Sequence, residues 1–178
     1  MAKNSAKQIR EDEKKIIDEL QKNANNSINE IASKCKFSRQ KVWRIIKNLE
    51  KNNTIWGYTA VIDEIKQEMK KYFVLIKRTN LPVTVEIIDK IISRELKKKS
   101  KDLDVKLITS SLTNGAYDYF ICFNAPDIKN AKRFVENLNK LFEGMISEIH
   151  LIEELFCVQK CGIENPNVER IKEYFETV

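Results

Sequence analysis

Ser27 and Ser38 both stand where a helix starts, and only eleven residues separate them. Each is a short hydroxyl side chain able to accept a first-turn backbone N–H. Glu30, three residues after Ser27, completes a capping box. The helix between the two caps must therefore be short, with Ile28, Ile31, Ala32 and Cys35 turned inward. A third helix is predicted from Arg39 to about Lys51, with Val42, Ile45, Ile46 and Leu49 on one stripe. Before Ser27, the stretch from Asp12 to about Lys22 carries Ile16, Ile17 and Leu20 on one face. Its acidic Glu11, Asp12 and Glu13 suit the positive end of a helix dipole.

Two short helices and a tight turn suggest a helix-turn-helix. Counting from Ile28 as the first of twenty positions, small Ala32 is fifth, Phe37 tenth, Val42 fifteenth and Ile45 eighteenth. These are the buried positions of the motif. The ninth, usually Gly, is Lys36, so a non-Gly residue at positive φ is expected there.

Charge points to the same segment. The 178 residues carry a formal +6, yet residues 1–33 are balanced, as are residues 52–178. Residues 34–51 hold seven basic side chains against Glu50 alone, so the whole excess sits there. A concentrated basic stretch is the footprint of a polyanion-binding element. Ser38, Arg39, Gln40, Trp43, Arg44 and Lys47 form the outward face of the third helix. Arg and Gln pair bidentately with guanine and adenine edges in the major groove. Ser38 and the N–H groups at the helix start suit a phosphate, and Lys34, Lys36, Lys41 and Lys51 flank the face toward others. Trp43 has two readings: it stacks on sugar or a thymine methyl, or it packs against the first helix.

The remainder reads as strand, helix, strand, strand, helix, strand. Ile55–Ile62 is β-branched and aromatic, a predicted strand, and Asp63–Lys71 is a polar link. Tyr72–Ile76 is a short strand. Pro82 opens a helix with Ile87, Ile88, Ile91, Ile92 and Leu96 as its buried stripe. The Lys97–Lys101 run that ends it reads as a solvated loop, because acidic neighbours cancel its charge over the domain. Leu103–Ser111 and Ala116–Asn124 flank an Asn114-Gly115 hairpin signal. Pro126 opens a second helix, whose apolar stripe from Ile128 to Phe142 is the clearest in the chain; Gly144 ends it. Met145–Lys160 is long enough for a fourth strand. Order βαββαβ implies an antiparallel sheet with both helices on one face. A last helix is expected from Asn165 to Phe175.

The expected class is thus α+β: an N-terminal (winged) helix-turn-helix domain over residues 1–56, then a connecting strand and linker over 57–71. A ferredoxin-like βαββαβ sandwich over 72–161 and a C-terminal helix over 162–178 complete it. A helix-turn-helix, the segment Gly57–Asp63 (GYTAVID), and a βαββαβ domain containing Gly115-Ala116-Tyr117-Asp118 resemble the leucine-responsive Lrp/AsnC regulators. The likeness spans about residues 12–161. It implies a prokaryotic, sequence-specific transcription regulator of double-stranded DNA, a homodimer built through the sheet that assembles toward octamers, and an amino-acid effector between subunits. It implies effector contacts from Asn114, Gly115, Tyr117 and Asp118. For these residues a structural reading stands beside it: Asn-Gly for hairpin geometry and Asp118 as a turn residue. The chain departs from the family in Glu143-Gly144, in the longer Lys97–Asp104 loop and in the added C-terminal helix.

Other classes are weaker. No apolar run approaches the roughly 20 residues of a bilayer helix. The polar N-terminus lacks a signal-peptide core, and four scattered cysteines do not form a secreted disulfide framework, so a cytoplasmic protein is expected. No Gly-rich phosphate loop is present among four glycines. His150, the only histidine, leaves little scope for nucleophilic catalysis. Cys157 and Cys161 lie too far apart on one predicted strand to share a metal. No catalytic residue, metal or cofactor is expected. Two alternatives remain: an effector-sensing or assembly module without DNA binding, and an enzyme acting on tetrapyrroles, as some family relatives do.

Overall fold

The computed structural model describes residues 6–175. The polar N-terminal residues 1–5 and the end of the segment 162–178 lie outside the described residues. The chain divides into two compact units. One runs to Val61 and also includes the residues from Val158 onward; the other is Ile62–Cys157.

The first unit is built on α1 (Ala6–Lys22), α2 (Ile28–Cys35) and α3 (Arg39–Lys51). Ile16, Ile31, Ala32 and Val42 form its buried centre, with Leu20, Phe37, Ile45 and Ile46 packed around them. Helix α1 is already formed at Ala6, six residues before the expected Asp12, because Ala6, Lys7 and Gln8 are good helix formers. Asp12 is therefore an interior helix position, and it is 2% exposed. The strand expected over Ile55–Ile62 is absent; the segment is irregular and Trp56 is 95% exposed. A β-branched stretch becomes a strand only when another strand takes its backbone groups. The C-terminal residues also differ from expectation. They make a two-residue pairing, β5 (Gln159–Lys160) with β6 (Ile163–Glu164), and then 3₁₀ turns over Val168–Tyr174 instead of an α-helix.

The second unit carries a four-stranded antiparallel sheet of β1 (Lys70–Arg78), β2 (Lys106–Leu112), β3 (Tyr119–Ala125) and β4 (Ile146–Glu153), in spatial order β2-β3-β1-β4. This is the ferredoxin-like order. Alternate residues Tyr72, Val74 and Ile76 of β1 and Ile121, Phe123 and Ala125 of β3 face the helices. Helix α6 (Ile128–Leu141) covers them with Ala131, Phe134 and Leu138. Tyr72, Phe123 and Phe134 stack in sequence, with centroids 5.6 and 4.5 Å apart. Fully burying each large apolar side chain here contributes roughly 1.5–3 kcal/mol. The N-cap of α6 is Asp127 rather than the expected opening at Pro126; its carboxylate accepts from Asn130 N at 2.8 Å.

The other helix departs further. It is two pieces, α4 (Val85–Ile92) and α5 (Glu95–Ser100), broken at Arg94, whose φ is 57°. Thr84, not Pro82, caps α4. The stripe expected to be buried is mostly in solvent: Ile88 is 44%, Ile91 39% and Ile92 71% exposed. Leu96 of α5 still packs against the core. Strand β4 stops at Glu153, so Cys157 is off the strand and Cys161, at φ 51°, turns the corner between β5 and β6. Strands β2 and β3 pair antiparallel as the expected hairpin, joined by the six-residue loop 113–118. Thr113 closes it, its N–H donating to Asp118 O at 2.9 Å and its hydroxyl to Tyr117 O at 2.7 Å.

Candidate nucleic-acid interface

The turn between α2 and α3 sets the direction of everything on α3. Ser27 and Glu30 form the expected reciprocal capping box: Glu30 N donates to Ser27 Oγ at 3.2 Å and Ser27 N to Glu30 Oε2 at 2.6 Å. Helix α2 ends at Lys36, with φ 56° and ψ 44°, as the sequence requires. Phe37 N then donates to Ala32 O and Lys36 N to Ser33 O. That pair of bonds is a Schellman ending, in which the left-handed residue reverses the chain. Phe37 drops into the core and Ser38 follows as the N-cap of α3, accepting from Lys41 N at 3.2 Å.

From that start, α3 presents two faces. Val42 and Leu49 are buried and Ile45 and Ile46 pack inward. Ser38, Arg39, Gln40, Trp43, Arg44 and Lys47 are exposed. Trp43 is 54% exposed on this face. Together with Ile28 at the edge, residues 38–41, 43 and 44 line an open surface hollow. Arg44 and Arg39 thus have a guanidinium in solvent on a convex helix of the width a major groove admits.

The ten residues expected to contact DNA separate into groups. Among the described residues, Arg39, Arg44, Lys36 and Lys51 are exposed and have no ion-pair partner. Lys34 lies 3.4 Å from Glu19 and Lys47 2.8 Å from Glu50, both with the lysine half in solvent. Such pairs are weak and yield readily to a phosphate. Lys41 is different. Its ammonium lies 2.6 Å from Asp12 and 3.9 Å above the Phe37 ring. It is a strut between α1 and α3, engaged within the protein at the edge of that hollow. The Lys41 hydrogen bond holds the Asp12 carboxyl below its ordinary value, against the opposing effect of burial. Gln8 Nε2 adds a second bond at 3.1 Å. Sequence reading missed Asp12; its one signal was its place four residues before Ile16 on the buried stripe.

Residues 114–118 are brought together in the β2–β3 loop. Asn114 and Gly115 are exposed, and the Tyr117 ring meets His150 edge-on at 5.6 Å. Asp118 is already engaged: its carboxylate accepts from Arg78 N at 2.7 Å, and its own N–H donates to Ile76 O at 2.8 Å. The turn reading of Asp118 therefore has a physical partner, and the carboxylate pins the loop to β1.

Among the described residues, no cluster of three His, Cys, Asp or Glu side chains is arranged to hold a metal, and no helix is long and apolar enough to cross a membrane.

Residues 13–55 match the family described as winged helix-turn-helix DNA-binding. No curated protein matches the chain in sequence. Solved structures do match it in fold. An AsnC family transcriptional regulator from Agrobacterium tumefaciens superposes with a TM-score of 0.60 at 19% identity, covering 84% of this chain and 92% of that one. The leucine response regulatory protein of Mycobacterium tuberculosis gives 0.64 at 14%, covering 84% and 94%. A transcriptional regulator of Neisseria meningitidis, solved with L-Met, gives 0.59 at 17%, covering 88% and 96%. The chain has the fold of the Lrp/AsnC regulators: a helix-turn-helix unit followed by a four-stranded antiparallel α/β sandwich.

Proposed function

We propose that the chain is a sequence-specific DNA-binding transcription regulator, with α3 as the helix that enters the major groove. One observation carries this reading: the exposed face of α3 bears Arg39, Gln40, Trp43 and Arg44, inside the eighteen residues that hold the whole charge excess. Arg44 reads a base edge, and Ser38 with the first-turn N–H groups takes a phosphate. Arg44→Ala is expected to cost about 1–3 kcal/mol in affinity and to flatten discrimination between sequences. Binding measured against salt on the duplex upstream of the chain's own gene checks it. Affinity that does not change with salt would remove the reading.

The chain acts as a homodimer in this proposal. Support comes from apolar side chains left in solvent, notably Ile88 and Ile92 on α4 and Leu112 on β2. Light scattering on the purified chain gives the mass directly, and a monomer at micromolar concentration would contradict it.

An amino acid is the proposed effector, at the Asn114–Asp118 loop. The Neisseria meningitidis structure of the same fold was solved with L-Met, which makes amino acids the natural panel to screen. Because Asp118 also pins the loop, Asn114→Ala is the cleaner variant. It is expected to abolish an amino-acid-induced rise in melting temperature and to leave the unliganded value unchanged. If no amino acid shifts the wild type, the loop is structural.

A further inference from the structure

The second unit is nearly neutral over its length, with sixteen basic and fifteen acidic side chains in residues 62–157. Its charge is nevertheless sorted in space. Residues 94–106 and 127–133, which run from the break at Arg94 through α5 to the first residue of β2 and over the N-cap and first turns of α6, hold nine basic side chains against four acidic, a net of +5. The rest of the unit holds seven against eleven, a net of −4. Helices α5 and α6 pack side by side, and Asn130 Nδ2 of α6 donates to Leu103 O in the turn after α5. Lys97, Lys98, Lys99 and Lys101 are all exposed, and on the neighbouring α6 so are Lys129, Lys132 and Arg133, away from its buried Ala131, Phe134 and Leu138.

Pairing differs between the two halves as well. Outside this surface the strand lysines are spoken for: Lys70 by Glu153, Lys77 by Glu148, and Lys71 by Glu64 and Glu154. Among the described residues, none of the nine basic side chains on the α5/α6 surface has an acidic group within ion-pair distance. The lysine run was expected to be cancelled by its neighbours over the domain; the acidic residues that balance it in number are mostly elsewhere.

We propose that the α5/α6 surface is a second DNA-binding surface, one that takes phosphates of the duplex without reading sequence. A field of exposed, uncompensated ammonium groups matches a polymer with one charge per about 1.7 Å of helix axis. Lysines serve as point charges for phosphate, whereas bidentate base reading favours Arg and Gln as found on α3. DNA is the polyanion favoured here because the same chain carries the basic face of α3. This inference rests on the DNA-binding reading of α3.

The test uses the full chain and the duplex upstream of its own gene, with affinity followed by fluorescence anisotropy across a salt series. The variant K97Q/K98Q/K99Q/K101Q should weaken binding and lower the slope of log affinity against log salt by up to about 3.6, at about 0.9 for each phosphate no longer neutralised. Its preference for the natural duplex over a scrambled one should stay unchanged. K129Q/K132Q/R133Q should act in the same direction, and circular dichroism should show both folded. K70Q/K77Q, on the paired side, should leave the slope unchanged. R39A/R44A should instead abolish sequence preference, which tests the α3 reading separately. Wild-type slopes in both lysine variants, with R39A/R44A impaired, would overturn the second surface and leave the first. An equal loss of slope per charge in K70Q/K77Q would overturn it as a bulk charge effect. A change of sedimentation without a change of slope would overturn it in favour of association between copies of the chain.

Discussion

Lys41 and Lys47 sit on one helix, six residues apart, and local sequence treats them alike. The structure does not. Lys41 closes on Asp12, whose side chain is 3% exposed, and lies over the Phe37 ring. Lys47 reaches Glu50 across open solvent. One region of α3 is an internal joint between helices; the other is a surface from which a cation is released. A basic residue near a DNA-reading helix is thus not evidence of contact until its partner is known. Removing a cation from the joint strands a buried carboxylate, whereas removing one from the surface strands nothing.

The sharpest break of this comparison is Lys41→Met. It leaves Asp12 buried without its cation and should destabilise the fold by about 3 kcal/mol, read by urea denaturation. Asp12→Asn in the same chain should recover much of that loss. The pair also has a pH signature. Folding holds the Asp12 carboxyl below its ordinary value of 3.8, so its contribution is complete above that value and is lost as pH falls below it. Acid titration of Asp12→Asn should lack this component of the loss. If Lys41→Met melts like the wild type, the joint is not the strut described.

A smaller effect is expected at Lys36, where a side chain occupies a left-handed position. Lys36→Gly should raise stability by up to about 1 kcal/mol, since Gly has no Cβ to strain there. Any fall in DNA affinity in that variant would be the phosphate interaction that the lysine supplied. Smallest of all in stability is Lys47→Met, which should melt as the wild type does. Its DNA affinity should fall to a similar degree on every sequence, as for a phosphate contact. A loss confined to one sequence would move Lys47 among the base-reading residues.

Much of the first unit was legible because its signals are local. Ser27 and Glu30 cap each other across three residues, and Ser38 and Lys36 act within one turn of chain. The α6 stripe was equally plain, and Ala131, Phe134, Leu138 and Leu141 are all buried. The α4 stripe is just as regular, yet Ile92 is in solvent. Periodicity states that a face is apolar; it does not say whether the same chain covers it. The break at Arg94 lies in a backbone angle that no residue type there announced. In the β2–β3 hairpin, Asn-Gly announced the turn, but not that Asp118 would be drawn to the backbone of β1 across a six-residue loop.

Sequence alone determined the helix-turn-helix, the exposed face of its second helix, the four-stranded core order of the second unit, and the place of the net charge. These depend on caps, periodicity and composition, which act over a few residues. Tertiary structure decided which lysine is a strut, which apolar stripe stays uncovered, and how a neutral domain sorts its charges onto two sides. Each of those depends on which distant segments the fold brings within a few ångströms, and both electrostatic pairing and burial are set at that range.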